Sequence, residues 1–422
     1  MFYFIFRTLP LLFVNVLRLI LFVLCLFPGF AQFAWYYFVT SDRITLQYGN
    51  DSIRQKVDVY YRSCTKTDDG EQQEGILGGR RECAAEEECR RSSPAPVIIF
   101  CTGGAWIIGY KMWGALLARA MTAAGIVVVI PDMRNYPFVC VPTMVDDVDL
   151  AIDWTMKNIS QYGGDPTNVV VVGQSAGGHV ACMTIFRNMR KGIAREEKRT
   201  NKNIIITREE EELSERKGEE DRWMLDEKLL DEKLKEEEEG WSASDLKGFI
   251  AISSPLNLGS GLLTPSFQRL GFDDTMIHRM FGFETEQYDP YLVLKKQNFF
   301  TAKEADQHKK FLQNLPPISI YHGKEDKTVP YEVSETFYRE LLRAAPISPY
   351  CEGNSVLFVP YDGWSHTDPI LEGPMDADQR LHKDILNDVN KWTTSSPDLI
   401  WPNDHHRVNH RLCPHFMIKL SR

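Results

Sequence analysis

With 422 residues, 43% of them hydrophobic, and a net charge of −10, the chain is long enough for one large domain or two smaller ones and carries a sizeable core. Residues 190–239 hold 18 acids against 13 bases and so supply half of that charge; the remainder has no basic field, which excludes nucleic acid as an indicated partner. Nine cysteines without paired C-x-x-C spacing exclude a zinc ribbon and a dense disulfide framework, leaving only Cys83 and Cys89, in one charged loop, placed to pair in an oxidising lumen.

The amino-terminal residues are unlike the rest. From Leu19 to Val39 there is no charged side chain, a length that matches a bilayer span, and the cluster Phe33-Ala34-Trp35-Tyr36-Tyr37-Phe38 fits an interfacial aromatic belt. This predicts a membrane anchor within residues 1–42, with a cleaved signal peptide as the rival reading. Met1 to Leu17 is apolar except for Arg7, Thr8 and Asn15, so a second span is an alternative. One span with Arg7 and Arg18 inside puts the following domain in a lumen, and two return it to the cytosol.

Arg43 to Tyr48 and Val57 to Tyr61 alternate apolar and polar residues, predicting an antiparallel start to a sheet. Residues 64–96 read as a solvated, charged loop. Short, uniformly apolar runs follow: Val97 to Phe100, Ile126 to Ile130, Val169 to Val172, Phe249 to Ile252, Ile318 to Tyr321 and Val356 to Val359. Strands covered on both faces have this composition. Between them lie helical patterns such as Met144 to Asn158, with Val145, Val148, Ile152 and Met156 on one side. The fold class expected for residues 43–395 is therefore α/β, a mostly parallel sheet with helices on both faces.

Residues 190–243 interrupt this order. The charged composition predicts a solvated excursion that buries too little apolar surface to order itself, with Asp221 to Glu239 able to form a surface helix. Residues 396–422 read as a polar tail. Its His405, His406, His410, Cys413 and His415 follow no metal-ligand spacing, and no metal or cofactor is expected.

Gly173-Gln174-Ser175-Ala176-Gly177 follows a buried strand and precedes a helix start, which is the context of a G-x-S-x-G nucleophile elbow. The turn strains the serine backbone and brings other backbone close, so its neighbours must be small. A serine hydroxyl is a weak nucleophile near neutral pH, so a base must take its proton and a carboxylate must orient that base. In this fold order, acid and then histidine follow the serine. Asp326 stands just beyond the strand Ile318 to Tyr321, with Glu325 as its competitor, and His366 stands beyond Val356 to Val359. His322 reads as a turn residue. For the oxyanion, one backbone N–H is expected from Ala176 and others from the loop Cys101 to Tyr110, whose Gly103 and Gly104 let backbone approach substrate. This loop stands where lipases and esterases carry an HGGG motif, with Thr102 in place of its histidine.

The blocks TGGAWIIGYKMWGALLARAM, PDMRNYP, YGGDPTNVVVVGQSAGGH, HGKEDKTVP and YDGWSHTDP resemble those of the isoprenylcysteine methylesterases, membrane-bound α/β-hydrolases, across residues 97 to 370. The resemblance implies Ser175, Asp326 and His366 as the catalytic triad, and Gly103, Gly104, Ala105, Gln174 and Ala176 beside the substrate. It implies a substrate too, the methyl ester of prenylated cysteine, and a place in endoplasmic reticulum and Golgi membranes. A general carboxylesterase of the hormone-sensitive-lipase type is the alternative, and a non-catalytic ligand binder on the same scaffold the more distant one. The charged loop before residue 97 and the insertion after Arg190 depart from the family pattern.

Overall fold

The structure is a computed structural model that describes residues 17, 20–21, 23–61, 94–216, 240–269, 271–296, 301–344, 356–393, 399–402 and 410–421. Its centre is an eight-stranded sheet in the order β1-β2-β4-β3-β5-β6-β7-β8. β1 (Arg43–Gln47) and β2 (Lys56–Tyr60) pair antiparallel, and β2 runs antiparallel to β4 (Val127–Asp132). The other strands, β3 (Ala95–Cys101), β5 (Gly164–Gln174), β6 (Leu246–Ile252), β7 (Ile318–Gly323) and β8 (Val356–Tyr361), join β4 in parallel. Antiparallel start and parallel body are both as expected.

The two-residue period of the strands divides the core into two layers. Val97, Ile99, Val127, Val129, Val169 and Val171 face one way and pack against α3 (Val141–Asn158) and α4 (Ala176–Arg216). Ile98, Phe100, Val128, Ile130, Val170 and Val172 face the other way, onto α2 (Ala115–Ala123) and α7 (Arg380–Trp392). Valine and isoleucine suit a strand buried on both faces because their branched Cβ atoms fill the pleat without exposed polar groups.

Three segments differ from expectation. The residues after Leu26 fold onto the domain: in α1 (Phe27–Trp35) Phe33 is buried, and with Leu26 and Tyr37 it joins the second layer beside Leu412, Cys413 and Ile418. Tyr37 donates to Asp58 (2.8 Å), and a Cβ on Gly29 would meet Met375 Sδ at 2.6 Å. Leu26, Phe33 and Tyr37 of the apolar run from Leu19 to Val39 thus serve as protein core, a use that hydropathy alone does not distinguish from a span. Among the described residues no helix is long and apolar enough to cross a membrane. The first 16 positions of the expected anchor, and with them almost all of the alternative second span, lie outside the described residues.

The carboxyl-terminal residues likewise pack back on the domain. α8 (His415–Ser421) buries Ile418, while His415 bonds Asp376 Oδ2 at 2.7 Å. The expected excursion after Arg190 begins instead as helix, because α4 continues without a break to Arg216. Its Ala, Arg, Lys, Glu and Ile residues extend a helix already nucleated by the preceding turns, so ordering them costs little. Glu197 meets Lys303 (3.2 Å) and Gln307 (2.9 Å) on α5 (Ala302–Gln313). The charged loop 64–96 with Cys83 and Cys89, the proposed helix Asp221 to Glu239, His405 and His406 lie wholly or almost wholly outside the described residues.

Candidate active site

β5 delivers Ser175 at its carboxyl end, and the turn into α4 forces φ of +52° on it, a strained value for a side-chain-bearing residue. The surrounding glycines have steric causes. A Cβ on Gly173 would lie 2.4 Å from Gly178 Cα, and one on Gly178 would lie 2.0 Å from Ser254 Oγ. One on Gly177 would lie 2.3 Å from the Cys101 carbonyl oxygen and 2.5 Å from that of Thr102, the end of β3. The elbow thus fits flush against the neighbouring strands, and Ser175 N–H donates across to the Ile252 carbonyl (2.8 Å).

The loops after β7 and β8 bring in the other two groups. His366 Nε2 lies 2.9 Å from Ser175 Oγ, and His366 Nδ1 lies 2.7 Å from Asp326 Oδ2. Because the carboxylate only accepts, Nδ1 carries the proton, and in the neutral imidazole Nε2 is left to accept from the serine hydroxyl. Asp326 Oδ1 accepts from the backbone N–H groups of Thr328 and Val329, both at 2.8 Å. Burial alone raises this carboxyl's pKa, yet the charge and hydrogen bonds of His366 and His322 outweigh it and hold the group well below the usual carboxylate range. Glu325 is exposed.

The two loops are stitched together. Lys324 and Glu325 donate backbone N–H to the carbonyls of Tyr361 (2.9 Å) and Trp364 (3.0 Å), and Gly323 is so close that a Cβ there would meet the Trp364 oxygen at 2.2 Å. Trp364 is buried against Tyr361, ring centres 4.3 Å apart, with the Arg380 guanidinium 4.6 Å from its centroid. Asp368 accepts from Ser365 N–H (2.7 Å) and so braces the residue before His366.

The loop after β3 closes the other side. Gly103 sits against the elbow, where a Cβ would lie 2.1 Å from Gln174 Oε1 and 2.9 Å from Ser175 Cβ. Gly104, Ala105 and Trp106 follow with φ of +135°, +51° and +60°, a curled backbone of the kind that gathers N–H groups into an anion-binding concavity. Ala176 is the first residue of α4, where N–H groups lack intrahelical acceptors. All eight residues singled out from the sequence, Gly103, Gly104, Ala105, Gln174, Ser175, Ala176, Asp326 and His366, are therefore brought to one end of the sheet.

Several supports of the site carried no sequence signal. Trp106 Nε1 donates to His179 Nδ1 (3.3 Å), and His179 Nε2 donates to the Tyr288 carbonyl (2.7 Å); this fixes the neutral tautomer, and burial pushes its pKa down to about 4. Phe281 and Phe267 complete the cage around the indole. The Gly109 carbonyl accepts from Arg54 (2.6 Å) and Asn135 (2.9 Å), which anchors the far end of the same loop. His322, expected as a turn residue, is the penultimate residue of β7, fully buried and 3.1 Å from Asp326. The His-Gly pair preceding Asp326 was its one trace in the sequence.

A family model described as BD-FAE matches residues 87–243. Over 414 residues the chain is 29% identical to a probable isoprenylcysteine α-carbonyl methylesterase of Oryza sativa subsp. japonica, covering 96% of this chain and 75% of that one. An isoprenylcysteine α-carbonyl methylesterase of Arabidopsis thaliana is 28% identical over 412 residues, with 97% and 75% covered. Among solved structures, carboxyl esterase 2 of Tuber melanosporum superposes with a TM-score of 0.50 at 14% identity, covering 84% of this chain and 87% of that one. The chain has the α/β-hydrolase fold, and the resemblance to the isoprenylcysteine methylesterases extends over nearly all of it.

Proposed function

We propose that this α/β-hydrolase is a serine carboxylesterase that removes the methyl group from the α-carboxyl ester of prenylated cysteine. The observation that carries the reaction type is the continuous relay from Ser175 through His366 to Asp326, at 2.9 and 2.7 Å. As Ser175 Oγ attacks the ester carbonyl, its proton passes to His366 Nε2. The oxyanion forms beside Gly103, Gly104, Ala105 and Ala176. His366 then gives the proton to the departing methanol, and water, activated by the same imidazole, releases the free carboxylate. Asp326 stays ionised throughout and stabilises the imidazolium, which its hydrogen-bonded, low-pKa setting permits.

Two features support the substrate: the named activity of the similar plant proteins, and an apolar surface suited to a lipid-borne substrate. Phe27, Trp35, Phe38 and Val39 lie outward on the amino-terminal segment, each more than half exposed, with Phe416 of α8 outward as well. Such a face lies in a membrane interface rather than across it, where a prenyl chain also partitions. The endoplasmic reticulum and Golgi membranes are proposed as its place on the resemblance alone; the face supports only contact with a membrane interface.

The deciding assay gives purified protein a prenylcysteine methyl ester and, in parallel, short-chain nitrophenyl esters. A higher kcat/KM for the former supports the reading, and a preference for the latter overturns it in favour of a general carboxylesterase. Ser175→Ala lowers turnover by roughly 10³ or more; unchanged turnover removes the serine mechanism. A wild-type protein inert on both ester classes would be a ligand binder. Flotation with liposomes tests the membrane face, and failure to float refutes it. Glycosylation at Asn50, which is exposed within an N-x-S sequon, reports a lumenal domain.

A further inference from the structure

His322 contacts the same Asp326 carboxylate as His366 and has no exposed surface of its own. Its Nε2 lies 2.8 Å from the Val329 carbonyl oxygen and 3.1 Å from Asp326 Oδ2. Both of these atoms only accept, so Nε2 carries a proton in every protonation state of the ring. Nδ1 lies 2.8 Å from Ser334 Oγ, on α6 (Tyr331–Ala344), and that hydroxyl lies 3.3 Å from the Ser254 carbonyl. Ser254 is the residue whose hydroxyl fills the space beside Gly178 of the elbow. One set of contacts therefore runs from the elbow through Ser254, Ser334 and His322 to Asp326, and returns through His366 to Ser175.

The consequence is that one carboxylate oxygen, Asp326 Oδ2, serves two imidazoles, His366 at 2.7 Å and His322 at 3.1 Å. A second N–H donor on that oxygen fixes the carboxylate's rotation about its Cβ–Cγ bond, since the other oxygen is already fixed by two backbone amides. It also draws off part of the negative charge available to the catalytic imidazole.

We propose that His322 is a positioning residue of this esterase, a permanent second donor that locks the triad carboxylate in line and tempers its pull on the proton of His366. The proposal rests on the triad reading given above. The titratable groups facing His322 are Asp326 on its own loop and, across that carboxylate, His366 from the loop after β8. Among the described residues, its polar contacts from α6 and the loop after β6 are the Ser334 hydroxyl and, through it, the Ser254 carbonyl. The Lys324–Asp362 ion pair lies outward on the same two loops and is exposed.

The test uses the full-length protein with four variants, assayed on one ester across pH, with urea unfolding as the check on folding. His322→Leu removes the donor, and kcat is expected to fall about tenfold with KM little changed, because the base is misaligned and not the substrate site. The acid limb of its kcat/KM profile moves to higher pH, since an unshared carboxylate holds the proton of the catalytic imidazole more firmly. His322→Gln restores a donor at the position of Nε2 and recovers most of the rate. In wild-type protein a downfield proton resonance of the His366–Asp326 bond is expected, and it moves in His322→Leu but little in His322→Gln.

Wild-type kcat and acid limb in a folded His322→Leu protein overturn the proposal. So does a His322→Gln protein as impaired as the leucine variant, because volume and not the donor would then matter. If His322→Leu does not fold, the glutamine variant decides through the same resonance and pH profile: both near wild type supports the donor role, and both lost refutes it. Ser175→Ala and Asp326→Asn complete the set. An active Ser175→Ala protein refutes the triad itself, whereas inactive Ser175→Ala with an unaffected His322→Leu refutes only the role of His322.

Discussion

Replacing Gly177 by alanine tests the idea that the elbow and the oxyanion loop are one fitted unit. The added Cβ would stand 2.3 Å from the Cys101 carbonyl oxygen and 2.5 Å from that of Thr102. Neither atom is the end of a flexible side chain; both are backbone at the exit of β3, whose preceding residues are locked in the sheet by pairing with β4 and β5. Reaching ordinary van der Waals contact therefore requires the elbow and the start of the oxyanion loop to separate by about 1 Å, a misplacement that typically costs on the order of 10²-fold in rate. Overpacking of this size also destabilises by about 1–3 kcal/mol. Steady-state assay on a single ester is expected to show a fall in kcat with a smaller change in KM, and urea unfolding a lower midpoint with an unchanged slope. A Gly177→Ala protein with wild-type kcat would refute the reasoning. It would mean that the loop yields freely, and that the close contact has no part in placing the oxyanion donors.

Further outcomes follow from the same structure. His179 and His382 are buried and their pKa values are pushed down from 6.5 to about 4, so the unfolded chain takes up their protons first as pH falls. Their stability is complete above pH 6.5 and is lost on the way to pH 4, by about 3 kcal/mol for each histidine over the whole window. Urea titrations at several pH values check this, and a flat or opposite slope refutes it. Lys111→Met removes the buried cation from Asp58, which has no exposed surface and keeps Arg43 as a counter-charge, and is expected to cost about 1–3 kcal/mol. The double variant with Asp58→Asn recovers much of that loss in the same unfolding assay. Trp364→Ala empties one of the largest fully buried positions and costs about 3–5 kcal/mol; because Trp364 joins the acid and histidine loops, kcat falls as well. Full activity in a destabilised Trp364→Ala protein would show that the two loops hold their places independently.

The sequence made the sheet and the chemistry of its ends readable because both depend on local patterns. Runs such as Val169 to Val172 mark doubly covered strands, and the spacing around Ser175 marks a strained turn that only small neighbours permit. Asp326 and His366 were legible for the same reason, each standing just beyond an apolar run. Strand limits were less so: β5 starts at Gly164, well before the valines, because Ala95 pairs with Gly164 ahead of a register shift.

What only the tertiary structure decided are matters of which distant residues meet. The apolar run from Leu19 to Val39 has the hydropathy of a span, yet Phe33 and Tyr37 join the buried cluster that also holds Ile98, Phe100 and the carboxyl-terminal Cys413, and hydropathy contains no information on partners. The continuation of α4 through a charged segment was decided by the helix in front of it, since nucleation is the costly step and it had already been met. His179 and His322 look alike in the sequence, as histidines beside glycine. One becomes the acceptor for Trp106 and the other a second donor to Asp326. A histidine's role is set by which acceptors and donors face its two nitrogens, and those come from residues more than seventy positions away in one case and from a neighbouring turn in the other. The order of residues along the chain fixes the nucleophile, its base and its acid as candidates; only the packing of loops on strands fixes what holds them in line.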